Sequence, residues 1–217
     1  MKNNLTEIVF ILDRSGSMSG LESDTIGGYN SLLKKQKATA GKALISTILF
    51  DNCSEVLIDR IDLKAVPFMT EKEYSTQGCT ALLDAIGGAI KHIGNIHKYA
   101  REEDQPENTL FIITTDGLEN ASHRYNYESV KKLIELEKEK YGWEFIFLGA
   151  NIDAVEVAGR FGICAERAAN YNADGEGTQL NYAIMNEEIQ NLRMNKGISH
   201  NWKDRIDKDY KKRNKKS

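Results

Sequence analysis

The sequence predicts an α/β protein: a doubly wound, mostly parallel six-stranded sheet with one antiparallel strand and helices on both faces. Three observations carry this. Short runs rich in Ile, Val, Leu and Phe recur at residues 8–12, 44–50, 56–61, 110–114 and 145–148. Most are continuous rather than alternating, the pattern of strands buried on both faces. Helical periodicity fills most of the gaps between them. The second and third runs are separated only by residues 51–55, too few for a helical crossover, so that pair forms an antiparallel hairpin.

Each element follows in order. A first helix is expected over residues 24–37, with Gly27 and Gly28 weakening its start. Leu82, Ile86, Ile90 and Ile93 recur every three to four residues and define the helix after the hairpin. Val130, Leu133 and Ile134 mark another, with Glu128 and Ser129 in its first turn. A short helix over residues 155–161 ends at Gly162. A weaker sixth strand falls at 167–171. Tyr182, Met185, Ile189 and Leu192 define a last amphipathic helix. Pro67 and Pro106 read as loop positions, Gly78 as a point of tight backbone approach, and there is no internal repeat or Gly/Ser linker. One domain over residues 1–197 is expected, followed by a flexible basic tail over 198–217.

Composition narrows the function classes. The 217 residues carry 29 Lys+Arg and 32 Asp+Glu, a net charge of −3, with 41% hydrophobic and 28% charged residues. These are ordinary globular values and exclude collagen-like or wholly disordered chains. No apolar run approaches the roughly 18 residues of a membrane span. The charge is uneven, because residues 203–217 carry +5 and the remainder −8. Cys53, Cys79 and Cys164 are widely spaced and odd in number, which argues against a disulfide framework or a structural zinc site. The run at residues 5–12 is too short for a signal-peptide core and contains Glu7. A cytoplasmic location is the expectation.

In an open α/β sheet, sites form at the carboxyl ends of the strands. Asp13-Arg14-Ser15-Gly16-Ser17 follows the first run, Asp116-Gly117 follows the fourth, and Thr80 precedes the helix at Leu82. Together these offer two carboxylates and three hydroxyls. An all-oxygen donor set suits a hard divalent cation such as Mg²⁺, with Mn²⁺ or Ca²⁺ as alternatives. Neutral hydroxyls leave the ion's charge uncancelled, and a few protein donors leave coordination positions open. A carboxylate from another molecule is the natural group to fill them.

Asp13-x-Ser15-Gly-Ser17, Thr80 and Asp116-Gly117 resemble the metal-ion-dependent adhesion site of von Willebrand factor type A (vWA) domains. The flanking "FILDRSGSM", "GCTALLDAI" and "IITTDGLENAS" are similar to bacterial and phage members. The resemblance spans about residues 5–192. It implies that Ser15, Ser17 and Thr80 give hydroxyl oxygens, that Asp13 and Asp116 ligate directly or through water, and that an acidic residue of a partner completes the shell. It also implies a protein-interaction module without catalysis of its own.

Plainer roles compete at several positions. Asp13, Ser15 and Ser17 also suit helix caps. Asp84 is expected to serve the helix dipole and nearby amides, Asn151 to cap the helix near Asp153, and Cys79 to be a buried inert thiol. His92, His97, His123 and His200 have no metal-ligand spacing. A Mg²⁺-dependent phosphohydrolase is the enzymatic alternative, but such enzymes open with Asp-x-Asp, and Ser15 stands where the second acid would be. A third alternative is anionic-surface or nucleic-acid binding by Lys211, Lys212, Arg213, Lys215 and Lys216. Nucleic acid is the less favoured partner, because aromatics for stacking are sparse.

Overall fold

The computed structural model describes residues 4–214. Its elements are β1 (Leu5–Asp13), α1 (Glu22–Lys37), β2 (Lys42–Phe50), β3 (Ser54–Asp62), α2 (Leu82–Tyr99), β4 (Asn108–Thr115), α3 (Tyr127–Tyr141), β5 (Glu144–Ala150), α4 (Ala154–Arg160), β6 (Ala168–Tyr171), α5 (Gly175–Arg193) and α6 (Asp204–Asn214). The strands form one sheet in the order β3-β2-β1-β4-β5-β6. Every neighbouring pair is parallel except β2–β3, the short hairpin.

Alternation along β1 builds two cores. Ile8, Phe10 and Leu12 face a cluster completed by α1, α5 and α6, while Val9 and Ile11 face one completed by α2, α3 and α4. Both faces of β1 are therefore covered, which is why its sequence from Ile8 to Leu12 is continuously apolar. Gly28 on α1 is required by this packing, since a Cβ there would lie 2.2 Å from the Tyr182 ring of α5. The helix α3 starts with a capping box between Asn126 and Ser129 and ends at Gly142 in the left-handed region (φ 65°).

Charges at the amino end of the sheet are closed off. Glu7 on β1 is fully buried, accepts two hydrogen bonds from Arg60 at 2.6 and 3.2 Å, and meets His97 Nε2 at 2.5 Å. Arg60 sits at a bulge in β3 with φ 49°. The bulge swings its guanidinium across β2, and Asp59 beside it pairs with His92.

The end of the chain departs from expectation. Residues 198–214, expected as part of a tail after a domain ending at 197, pack against that domain. They carry α6, and Trp202 and Ile206 are 3% and 1% exposed within the core cluster. Trp202 Nε1 donates to the Glu166 carbonyl at 2.7 Å, and Lys203 Nζ donates to the Ala165 and Ala168 carbonyls. Arg213 pairs with Asp174 and Asp209. Two apolar anchors four residues apart were hidden in a segment whose charge dominates its composition. Lys215 and Lys216 lie outside the described residues. No helix among those described is long and apolar enough to cross a membrane.

Candidate metal centre

β1 lies between β2 and β4, and the chain leaves it on one side and returns on the other. This switch point opens a crevice at the carboxyl ends of β1 and β4. The register pairs Leu12 with Thr114, which sets Asp13 and Thr115 side by side. Thr115 Oγ1 donates to Asp13 Oδ2 at 2.5 Å, and the Ser15 N–H donates to Asp13 Oδ1 at 2.7 Å. Ser15 Oγ and Ser17 Oγ are 3.0 Å apart, and Ser17 Oγ donates to Asp116 Oδ1 at 2.5 Å.

Thr80 joins the same crevice. A Cβ added at Gly117 would lie 3.1 Å from Thr80 Oγ1 and 3.3 Å from Ser17 Oγ, so glycine keeps the space between these hydroxyls open. The loop carrying Thr80 is held from several sides. Gly16 N–H donates to the Gly78 carbonyl and Gln77 N–H to the Arg14 carbonyl. Gly78 has φ 70°, and a Cβ there would lie 2.1 Å from Asn52 Oδ1. Thr80 N–H donates to Asn120 Oδ1, and Asn120 N–H returns a bond to the Thr80 carbonyl. The five residues singled out in the sequence, Asp13, Ser15, Ser17, Thr80 and Asp116, therefore lie around one crevice.

Burial shapes its electrostatics. Asp13, Ser15, Thr80 and Asp116 are at most 3% exposed, whereas Ser17 is open to solvent. Burial holds the Asp13 carboxyl above its ordinary value, against hydrogen bonds from Ser15 and Thr115. Burial likewise raises Asp116, against the Ser17 hydrogen bond. Among the described residues neither acid forms an ion pair with Lys, Arg or His, since the nearby Arg14 is spent on Asp51 and Glu55. No group of three or more His, Cys, Asp or Glu side chains suited to a metal occurs among the described residues. A cation here would rely on hydroxyl oxygens beside two acids, and that donor set fits a hard divalent ion.

Several supporting residues carry no motif of their own. Glu119 accepts from the N–H groups of Leu83, Ala121 and Ser122, capping α2 from outside. Asp84 accepts from three consecutive N–H groups, those of His123, Arg124 and Tyr125, in the loop before α3 rather than in its own helix. The Tyr74 hydroxyl donates to the Asp13 carbonyl. Two expectations fail. Asn151 does not cap α4, because Asp153 does, accepting from the Glu156 N–H; Asn151 sits exposed with φ 55°. Cys79 is exposed, as are Cys53 and Cys164, because the loop before α2 runs over the surface.

Solved structures share this architecture. The PilB minor pilin of Streptococcus sanguinis (D319A mutant) superposes with a TM-score of 0.62 at 12% identity, covering 88% of this chain and 63% of that one. The vWF domain of the type V pili tip protein Mfa5 from Porphyromonas gingivalis gives 0.60 at 13%, covering 85% and 94%. The chain has the fold of a von Willebrand factor type A domain. A third vWA-fold neighbour, proximal thread matrix protein 1 from the mussel byssus with a zinc-occupied MIDAS motif, gives 0.54 at 15%, covering 86% and 45%. The chain thus spans less than two thirds of the pilin and byssus chains. No protein-family model and no curated protein matches the vWA-fold sequence.

Proposed function

We propose that this chain is a divalent-cation-dependent protein-binding module. Asp13, Ser15, Ser17, Thr80 and Asp116 would hold the ion, Mg²⁺ by donor chemistry with Mn²⁺ or Ca²⁺ as substitutes. When bound, the ion supplies a Lewis-acidic position that a partner's carboxylate can fill. The observation that carries the reading is a pair of buried acids, Asp13 and Asp116, joined by hydroxyls and lacking any basic partner among the described residues. The zinc-occupied MIDAS of the byssus protein and the pilus setting of the other neighbours support it.

The residues divide the work. Ser15 N–H and Thr115 fix the Asp13 carboxylate, and Ser17 orients Asp116. The Asn120 side chain holds the backbone of Thr80, and Gly117 leaves the approach open. Enzymatic phosphoryl chemistry is disfavoured because no second acid stands at Ser15 to act as general acid–base, a group worth about 10²–10⁴-fold in rate. Three unpaired cysteines fit a reducing, cytoplasmic setting.

The test is capture of partners from the native host by the full chain in Mg²⁺ and in EDTA, with Asp116→Ala alongside. Capture of an acidic protein only in Mg²⁺, and not by the variant, is the expected result. Capture unchanged in EDTA overturns the reading. So does Mg²⁺-dependent phosphatase turnover that disappears in Asp13→Asn.

A further inference from the structure

Beside Asp13, between the sheet, α1 and α5, lies a narrow cavity lined mostly by buried residues. Its walls include apolar side chains such as Phe10 and Ile112, yet one side is polar: Thr25 from α1, Thr178, Asn181 and Tyr182 from α5, and Asp13 itself. Eight buried side-chain polar atoms lack a hydrogen-bond partner among the described residues, and five of them belong to this one wall. They are Thr25 Oγ1, Thr178 Oγ1, the amide nitrogen and oxygen of Asn181, and the Tyr182 hydroxyl. Thr25, Thr178 and Asn181 are 3%, 5% and 4% exposed.

Unpartnered polar atoms are rare in folded proteins, and five converging on one space require a common explanation. Direct pairing does not supply it. Thr25 lies beside the Tyr74 hydroxyl, whose oxygen can accept from it, but the four polar atoms of Thr178, Asn181 and Tyr182 have no hydrogen-bond partner among the described residues. Asn181 alone brings two donors and an acceptor oxygen with two lone pairs. The cavity leaves about 20 Å³ for the centre of a water, above the roughly 10–15 Å³ that one water needs and too little for an organic ligand. Water presents two donors and two acceptors, so it can serve hydroxyls and an amide together. Asp13 has room to take part, because its oxygens each accept one short bond while a carboxylate offers about four lone-pair sites.

We propose that this cavity is an internal water site, and that its water links Asn181 of α5 to the rear of the Asp13 carboxylate. Asn181 is then a positioning residue for Asp13, acting from the side opposite the crevice. Ser15 and Thr115 hold the carboxylate from its own loop and from β4. The water holds it from a helix whose residues are distant in sequence. The positioning role rests on the metal-binding reading above, whereas the water site does not.

A crystal structure of the full chain at about 1.5 Å tests the site directly. Ordered density within hydrogen-bond distance of Asn181 and Asp13 is the expected result. An empty cavity, or a water that does not reach Asp13, overturns the proposal. Calorimetric Mn²⁺ titration then tests the role. Asn181→Leu keeps the side chain's shape and removes its polar atoms, and roughly 10-fold weaker Mn²⁺ binding is expected, as for other outer partners of a metal ligand. Asn181→Ser, which keeps a hydroxyl and leaves room for water, should recover most of the affinity. Unchanged affinity in a folded Asn181→Leu overturns the positioning role. Should that variant not fold, Thr178→Val carries the same expectation. If the unsubstituted chain binds no Mn²⁺, the metal reading falls, and the crystal density still decides the water site.

Discussion

A buried carboxylate without a cation destabilises the fold that contains it, and the chain has two of them at one crevice. Asp116→Asn should therefore remove Mn²⁺ binding yet raise the denaturant midpoint measured in EDTA. A lowered midpoint would mean that the Asp116 charge is not a net cost to the fold. Thr115→Val should act differently. Thr115 is 0% exposed and its hydroxyl meets Asp13 at 2.5 Å. Losing that bond should weaken Mn²⁺ binding about 10–100-fold while the fold persists, measured by calorimetry. The roles of Thr115, Glu119 and Asn120 were not legible in advance. Each depends on a bond to a residue more than 30 positions away, and a lone Thr or Asn in a loop sequence announces no such partner. The ligand-type residues were legible because chemistry, spacing and strand ends coincided in the sequence itself.

Among the elements, the strands were the easiest to read. β1, β2, β4 and β5 are covered on both faces, so each carries a largely apolar run such as Ile8–Leu12. The hairpin followed from five residues of separation. The helix α6 was not legible, because Asp204, Asp207, Asp209 and five basic residues surround a single Ile within Asp204–Asn214. Its docking depends on Trp202, outside the helix, and on Arg213 reaching back to Asp174 at the start of α5. Trp202→Ala should cost about 3–5 kcal/mol of unfolding free energy. Equilibrium denaturation checks this, and a loss under about 1 kcal/mol would show α6 to be dispensable. By contrast, Asn126→Ala at the start of α3 should cost only about 1 kcal/mol, the ordinary value of a cap.

For the protein as a unit, the raised acids make stability depend on pH and on metal together. Between the ordinary aspartate value of 3.8 and the raised values in the fold, the native chain keeps protons on Asp13 and Asp116 that the unfolded chain has released. Stability contributed by these two groups is thus present at low pH and lost as pH rises through their folded values. Asp51, Asp84 and Asp174 are shifted the other way, below their ordinary values despite burial, by hydrogen bonds and charge. Their contribution rises with pH and masks the first. The difference between the chain and an Asp13→Asn/Asp116→Asn variant isolates it. In EDTA, the variant's advantage should grow from about pH 3 to pH 7. Saturating Mg²⁺ should shrink that advantage, because the ion stabilises the unsubstituted chain alone. A constant difference across pH would refute the assignment.

Glu7 and Asp13 are six residues apart on one strand, both 0% exposed. They serve as each other's internal control. At Glu7 a bulged neighbouring strand bends Arg60 out of its ordinary conformation to deliver a guanidinium, and α2 adds an imidazole. The same sheet, at a comparable depth, delivers to Asp13 only an amide and hydroxyls. The architecture can evidently supply a counter-charge to a carboxylate on this strand, and has done so at one pole only. The strand is asymmetric in charge from end to end, and the uncompensated pole is the one at which the proposed cation would supply the missing charge.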